Sequence, residues 1–143
     1  MRSRITGSWK AQIIGLSIAV AACGAKPAPT YPFVGSSAVP AAEGQAVVTP
    51  GPNGNSQLSV TVRHLAPPER VVAGSTAYVV WVAPLGDGVP QNVGVLKLDA
   101  ALEGKLATVT PLQAFRLTIG VEADPQVQAP TGSALISTTI SPR

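Results

Sequence analysis

The sequence predicts an all-β domain of about seven short strands. Three observations predict it. From residue 44 onward apolar and polar residues alternate with a period of two. Turn-forming residues punctuate that alternation, and no long stretch carries the 3.6-residue period of a helix. Strands are expected near 45–49, 57–64, 77–83, 92–98, 104–109, 114–122 and 134–140. The separators are Pro50-Gly51-Pro52-Asn53-Gly54-Asn55, Ala66-Pro67-Pro68, Leu85-Gly86-Asp87-Gly88, Glu103-Gly104 and Ala123-Asp124-Pro125. Each supplies a fixed φ, a left-handed residue or a side chain that bonds its own backbone. Seven such strands over about 100 residues point to one immunoglobulin-like β-sandwich spanning residues 44–143.

The strand near 57–64 places Leu58, Val60 and Val62 on one face, with Gln57, Ser59, Thr61 and Arg63 on the other. The strand near 114–122 places Phe115, Leu117, Ile119 and Val121 inward, with Arg116, Thr118 and Glu122 outward. One-sided strands are what a two-layer sandwich needs. The strand near 77–83 is apolar on both faces. Val79 and Trp81 share one face; Tyr78, Val80 and Val82 share the other. A central Trp is the usual core plug of such a sandwich, which places Trp81 inward. Tyr78, Val80 and Val82 are then a partly exposed apolar stripe. It is either covered by neighbours, as on any central strand rich in β-branched residues, or a docking surface.

The amino-terminal region follows a different logic. Residues 1–10 hold Arg2, Arg4 and Lys10 and no acid, and residues 11–22 are an apolar run of about a dozen. A helix needs roughly 20 apolar residues to span a bilayer, so the run suits the hydrophobic region of an export signal. It ends in Val20-Ala21-Ala22-Cys23, which resembles the bacterial lipobox. The resemblance implies that the Cys23 thiol takes a diacylglycerol, that the chain is cut before Cys23, and that residues 1–22 are removed. Residues 23–43 then read as a lipidated cysteine followed by a Pro/Ala-rich tether. Four prolines and many small residues make it extended, with a reach of up to roughly 60 Å at about 3.1 Å per residue. Tyr31, Phe33 and Val34 are a small apolar island within it, expected to touch the domain or the membrane surface.

Composition limits the chemistry. Of 143 residues, 45% are hydrophobic, 12% charged and 4% aromatic. The net charge of +3 belongs to the signal, because beyond Cys23 seven Lys and Arg balance seven Asp and Glu. No basic face interleaved with aromatics is present, so a nucleic-acid partner is not expected. One Cys and one His exclude an internal disulfide and any multi-cysteine or multi-histidine metal site. His64 shares the parity of Leu58, Val60 and Val62 at a strand end and is expected to be a half-buried structural residue. The seven acids are spread singly over turns and strand ends, which leaves no facing carboxylate pair. No Gly-x-Ser-x-Gly elbow appears. The expectation is a protein with no catalytic residues, no metal and no cofactor.

The middle of the chain resembles a known family. Tyr78-Val-Val-Trp81-Val-Ala-Pro84 comes first, followed by Gln91-Asn-Val-Gly94-Val-Leu-Lys-Leu-Asp99. Phe115-Arg-Leu-Thr-Ile-Gly-Val-Glu122 and Ala129-Pro-Thr-Gly132 come next. In this order they look like the C-terminal extracytoplasmic domain of anti-sigma-K factors. The resemblance covers about residues 76–136. It implies a β-rich domain outside the cytoplasmic membrane and, at most, a sensing or regulatory role there. The family's cytoplasmic sigma-binding part and its transmembrane helix have no counterpart in these residues, so sigma-factor binding is not implied. The family's Glu-Pro-Gly-Gly segment is replaced by Glu122-Ala-Asp-Pro-Gln126.

Together these readings predict a lipid-anchored envelope protein acting as a non-enzymatic interaction or structural module, with an extracytoplasmic sensing role as the alternative. Its partners are the membrane, through the lipid on Cys23, and an envelope protein. Gly24 and Ala25 lack the acid that retains some lipoproteins in the inner membrane, which places the protein in the outer membrane of a diderm cell. Tyr78, Val80 and Val82 are the candidate interaction surface.

Overall fold

The alternating runs become antiparallel strands in a computed structural model that describes Gly24 and residues 26–141. Residues 1–22, read as an export signal, and Cys23 lie outside the described residues. The strands are β1 (Thr30–Val34), β2 (Glu43–Pro50), β3 (Ser56–Arg63), β4 (Ala77–Pro84), β5 (Gln91–Leu98), β6 (Gly104–Thr110), β7 (Phe115–Glu122) and β8 (Ile136–Ile140). One four-residue helix, α1 (Pro68–Val71), follows β3, with its first proline in the first turn, where no N–H is needed. No helix among the described residues is long and apolar enough to cross a membrane.

All eight strands lie in one sheet, in the order β1-β2-β3-β6-β5-β4-β7-β8. Hairpins join β4, β5 and β6, while β7 returns beside β4, as in a Greek key. The two end strands come round to face each other. The Tyr31 hydroxyl donates to the Ser141 carbonyl at 2.6 Å, and the Ser36 N–H donates to the Leu135 carbonyl at 2.8 Å. The result is a nearly closed barrel of eight strands, not the two separate layers of about seven strands that strand spacing suggested. Spacing sets strand number and length. It says nothing of whether the end strands meet.

The eighth strand comes from the expected tether. β1 pairs with β2 from Thr30↔Val47 to Val34↔Glu43, and Phe33 is buried in the core. Val39 and Ala42, in the turn that follows, are buried too. Residues 30–43 therefore belong to the domain, and the stretch between Cys23 and the barrel shrinks to residues 24–29. Pro32 argues against a strand in sequence, because proline cannot serve a central ladder. It is tolerated here because β1 is bonded along one side only. Gly44 makes the close approach possible: a Cβ there would lie 2.2 Å from the Thr61 carbonyl and 2.8 Å from the Phe33 ring.

Inside the barrel Leu58, Val60 and Val62 meet Phe115, Leu117, Ile119 and Val121, as the alternation of β3 and β7 requires. The β4 assignment is corrected. Tyr78, Val80 and Val82 point into this main core and are no more than 1% exposed, so they form no surface stripe. Trp81 and Val79 are equally buried but stand apart from that core, on the outer face of the wall. The segment between β7 and β8 folds back on that side, where Asn92 and Glu122 bond it. Strand parity tells which residues share a face, and cannot tell which face a distant loop will roof.

Candidate functional site

The roof over β4 is held by two polar anchors. The first is Asn92, the cross-strand neighbour of Trp81. Its amide donates to the carbonyls of Pro125 and Val127, both at 3.0 Å, while its Oδ1 accepts from the Gly94 N–H at 3.0 Å. Val93 is the extra residue between Val80↔Gly94 and Trp81↔Asn92, and this bulge aims Asn92 at the loop. Gly94 adopts φ +138°, and a Cβ there would meet Leu106 at 3.0 Å.

The second anchor is Glu122, the last residue of β7. Sequence reading placed it with the solvated acids, but it is 1% exposed. Its carboxylate accepts the Thr131 backbone N–H at 3.1 Å and also the Thr131 hydroxyl. A buried carboxylate without such donors would be strongly unfavourable, so the pair locks the far end of the loop to the sheet. Glu122 ends one of the segments that carried the family resemblance, and Thr131 lies in the Pro-Thr-Gly segment. The fold brings the two together. Beneath this roof the Trp81 Nε1–H has no hydrogen-bond partner.

A second group of polar residues lies at the barrel end reached by the last residues of β3. Glu103 bridges Lys105 at 2.6 Å and Arg63 at 3.6 Å. The hydrogen bond from Lys105 to Glu103, reinforced by that charge, holds the ammonium above its ordinary range. His64 is not half-buried, as its parity suggested. Its backbone turns to φ +56°, which sends the imidazole outward and gives the inward position to Leu65. The His64 Nδ1 stands 3.9 Å from Glu43, with both side chains more than 60% exposed. Pairs this exposed contribute about 0–1 kcal/mol.

Among the described residues no three His, Cys, Asp or Glu side chains converge as a metal cage. A recess of about 310 Å³ opens beside Phe33, Gly44 and Arg63. A shallow groove of about 600 Å³ runs along the outer face between β3, β6 and β5, where Lys97 and Lys105 flank Ser59, Thr61 and Ala107. The groove exists because β5 and β6 pair only at Lys97↔Lys105 and Leu98↔Gly104.

Tyr78 carries the clearest electrostatic signature. Its hydroxyl donates to the Ala66 carbonyl at 2.6 Å. Burial, with a smaller contribution from the Glu69 charge, pushes the phenol from 10.0 up to about 12. The folded state thus favours the neutral phenol. Stability from this source is fully present below pH 10 and is lost as the pH rises towards 12. Tyr78→Phe should flatten the fall in stability over that window, and should cost about 0.5–1.5 kcal/mol at neutral pH for the lost hydrogen bond. Denaturant melts of both proteins on either side of pH 10 check this; parallel curves would rule Tyr78 out as the source.

Of the residues singled out in sequence, Cys23 lies outside the described residues, and Tyr78, Val80 and Val82 serve the core. Asn92, Glu122 and Thr131 were missed as a group because they are far apart in sequence and meet only across the folded wall. No protein-family model matches the chain, and no curated protein matches it.

Proposed function

We propose that this chain is a lipid-anchored protein of the cell envelope, and that its barrel is a non-enzymatic interaction or structural module. One observation carries the reading. The single cysteine, Cys23, closes a basic and then apolar amino-terminal segment, and only six residues separate it from β1. That is where a lipidated cysteine would stand relative to a folded module. Gly24 and Ala25 support the outer membrane if the cell has one. An immunoglobulin-like origin is compatible with the barrel: β1-β2-β3-β6 and β5-β4-β7-β8 are two ladders joined through two residue pairs.

The test is detergent-phase partitioning of the parent and of Cys23→Ala. The parent should enter the detergent phase, and the variant should stay unprocessed or remain in the aqueous phase. Equal membrane association of the two would sink the proposal. Crosslinking in intact cells, read by mass spectrometry, would then name the neighbours of the barrel.

A second reading is an extracytoplasmic sensing or regulatory module related to the C-terminal domains of anti-sigma-K factors. The contact between Glu122 and Thr131 favours it, because it unites two segments of the resemblance in one structural unit. A membrane partner that co-purifies under mild detergent would support this reading, and its loss in Thr131→Val would tie the partner to the strap, the 123–135 segment between β7 and β8.

A further inference from the structure

We propose that the barrel docks on the lipid surface through one of its two ends, the end that bears the 51–55, 85–90 and 111–114 loops. The inference rests on the reading that Cys23 is lipidated, and extends it to an orientation.

The strand directions define the end. β1 starts there at Thr30, β2 finishes there at Pro50, β4 finishes at Pro84 and β8 finishes at Ile140. The chain from Cys23 therefore enters the barrel at this end. The Pro29 carbonyl accepts the Val48 N–H at 3.2 Å, so the chain is held from Pro29 onward. Six residue steps separate Cys23 from Pro29, a reach of about 20 Å at roughly 3.3 Å per residue. A lipid on Cys23 would leave this end no room to stand far from the headgroups.

The chemistry of the two ends differs in the matching sense. Glu43, Arg63, Glu69, Arg70, Asp99 and Glu103 crowd the far end. Among the described residues the near end carries only Asp87 and Arg116, with Lys26 on the entering segment. Its hairpin loop presents Leu85 at 46% and Val89 at 75% exposure. Val34, Val72 and Leu102 are also exposed, but at the far end, among charges whose desolvation would oppose insertion. Two apolar side chains on a nearly uncharged end can enter the interface beside the lipid anchor, which keeps this end close to it.

The test uses the processed, lipidated protein in vesicles of phosphatidylcholine, with ordinary or brominated acyl chains. Val89→Trp places a reporter on the near end, and Val34→Trp places one on the far end at the same 75% exposure. The added emission of Val89→Trp should shift to the blue and lose most of its intensity in brominated vesicles. The emission of Val34→Trp should be the same in both. If Val89→Trp is unquenched although the protein floats with the vesicles, the anchor stands and the docking is refuted. Equal quenching of the two reporters refutes a fixed orientation. A protein that does not float with the vesicles refutes the anchor and the docking together.

Discussion

A fragment that starts at residue 44 should fail to give a cooperative melt, while one that starts at Gly24 should fold. The shorter fragment removes β1 and, with it, Phe33, Val39 and Ala42 from the buried set. Losing a buried Phe alone costs roughly 3–5 kcal/mol, against a total of about 5–15 kcal/mol for a small domain. It also bares the β2 edge from Gly44 to Val47, which β1 otherwise covers, and an unpaired edge invites association. Circular dichroism and thermal melts of the two fragments, with sedimentation to detect aggregates, check this. Neither fragment contains a cysteine, so reductant should leave both melts unchanged. Equal stability of the two would mean that β1 adds nothing to the barrel, and would return residues 30–43 to the tether.

Replacing Trp81 with Ala should cost about 3–5 kcal/mol, because it empties a site that is 1% exposed. The damage should appear first in the 123–134 segment, because Asn92, the cross-strand neighbour of Trp81, holds it through the Pro125 and Val127 carbonyls. Proteolysis within that segment should accelerate together with the fall in melting temperature. Trp81→Phe should be nearly neutral. It keeps most of the ring and removes an Nε1–H that is buried without a partner, a donor whose desolvation costs about 1–3 kcal/mol. Val80→Thr, on the other face, should also be harmful, because Val80 is fully buried in the main core and a hydroxyl there has to find a partner. A Trp81→Ala protein that melts like the parent, with an unchanged cleavage rate, would mean the strap does not rest on the indole.

The strands expected beyond residue 44 all formed, each within two residues of its expected bounds, and the inward faces of β3 and β7 are the ones their alternation indicates. These features are local: turn chemistry and a two-residue period act over a few positions. The candidate strap was legible only in pieces. Glu122 reads as a strand-end acid and Thr131 as part of a turn, and nothing in either segment says that one caps the other.

Tertiary structure decided what depends on contacts between distant segments. β1 exists because β2 offers it a ladder and Gly44 leaves room for Phe33. The sheet nearly closes because Tyr31 and Ser36 reach Ser141 and Leu135. The strand with two apolar faces could be placed either way by its own residues. Its orientation was set by the loop from β7 to β8, which is long enough to bury Trp81 from outside and so leaves the interior to Tyr78, Val80 and Val82. His64 departed from parity because one left-handed residue reverses which side chain points inward, and Leu65 gains more from that burial than an imidazole does. Local periodicity therefore determined the elements of this protein. The choice of neighbours, the face of β4 and the closure of the barrel came from burial shared between residues far apart in the chain.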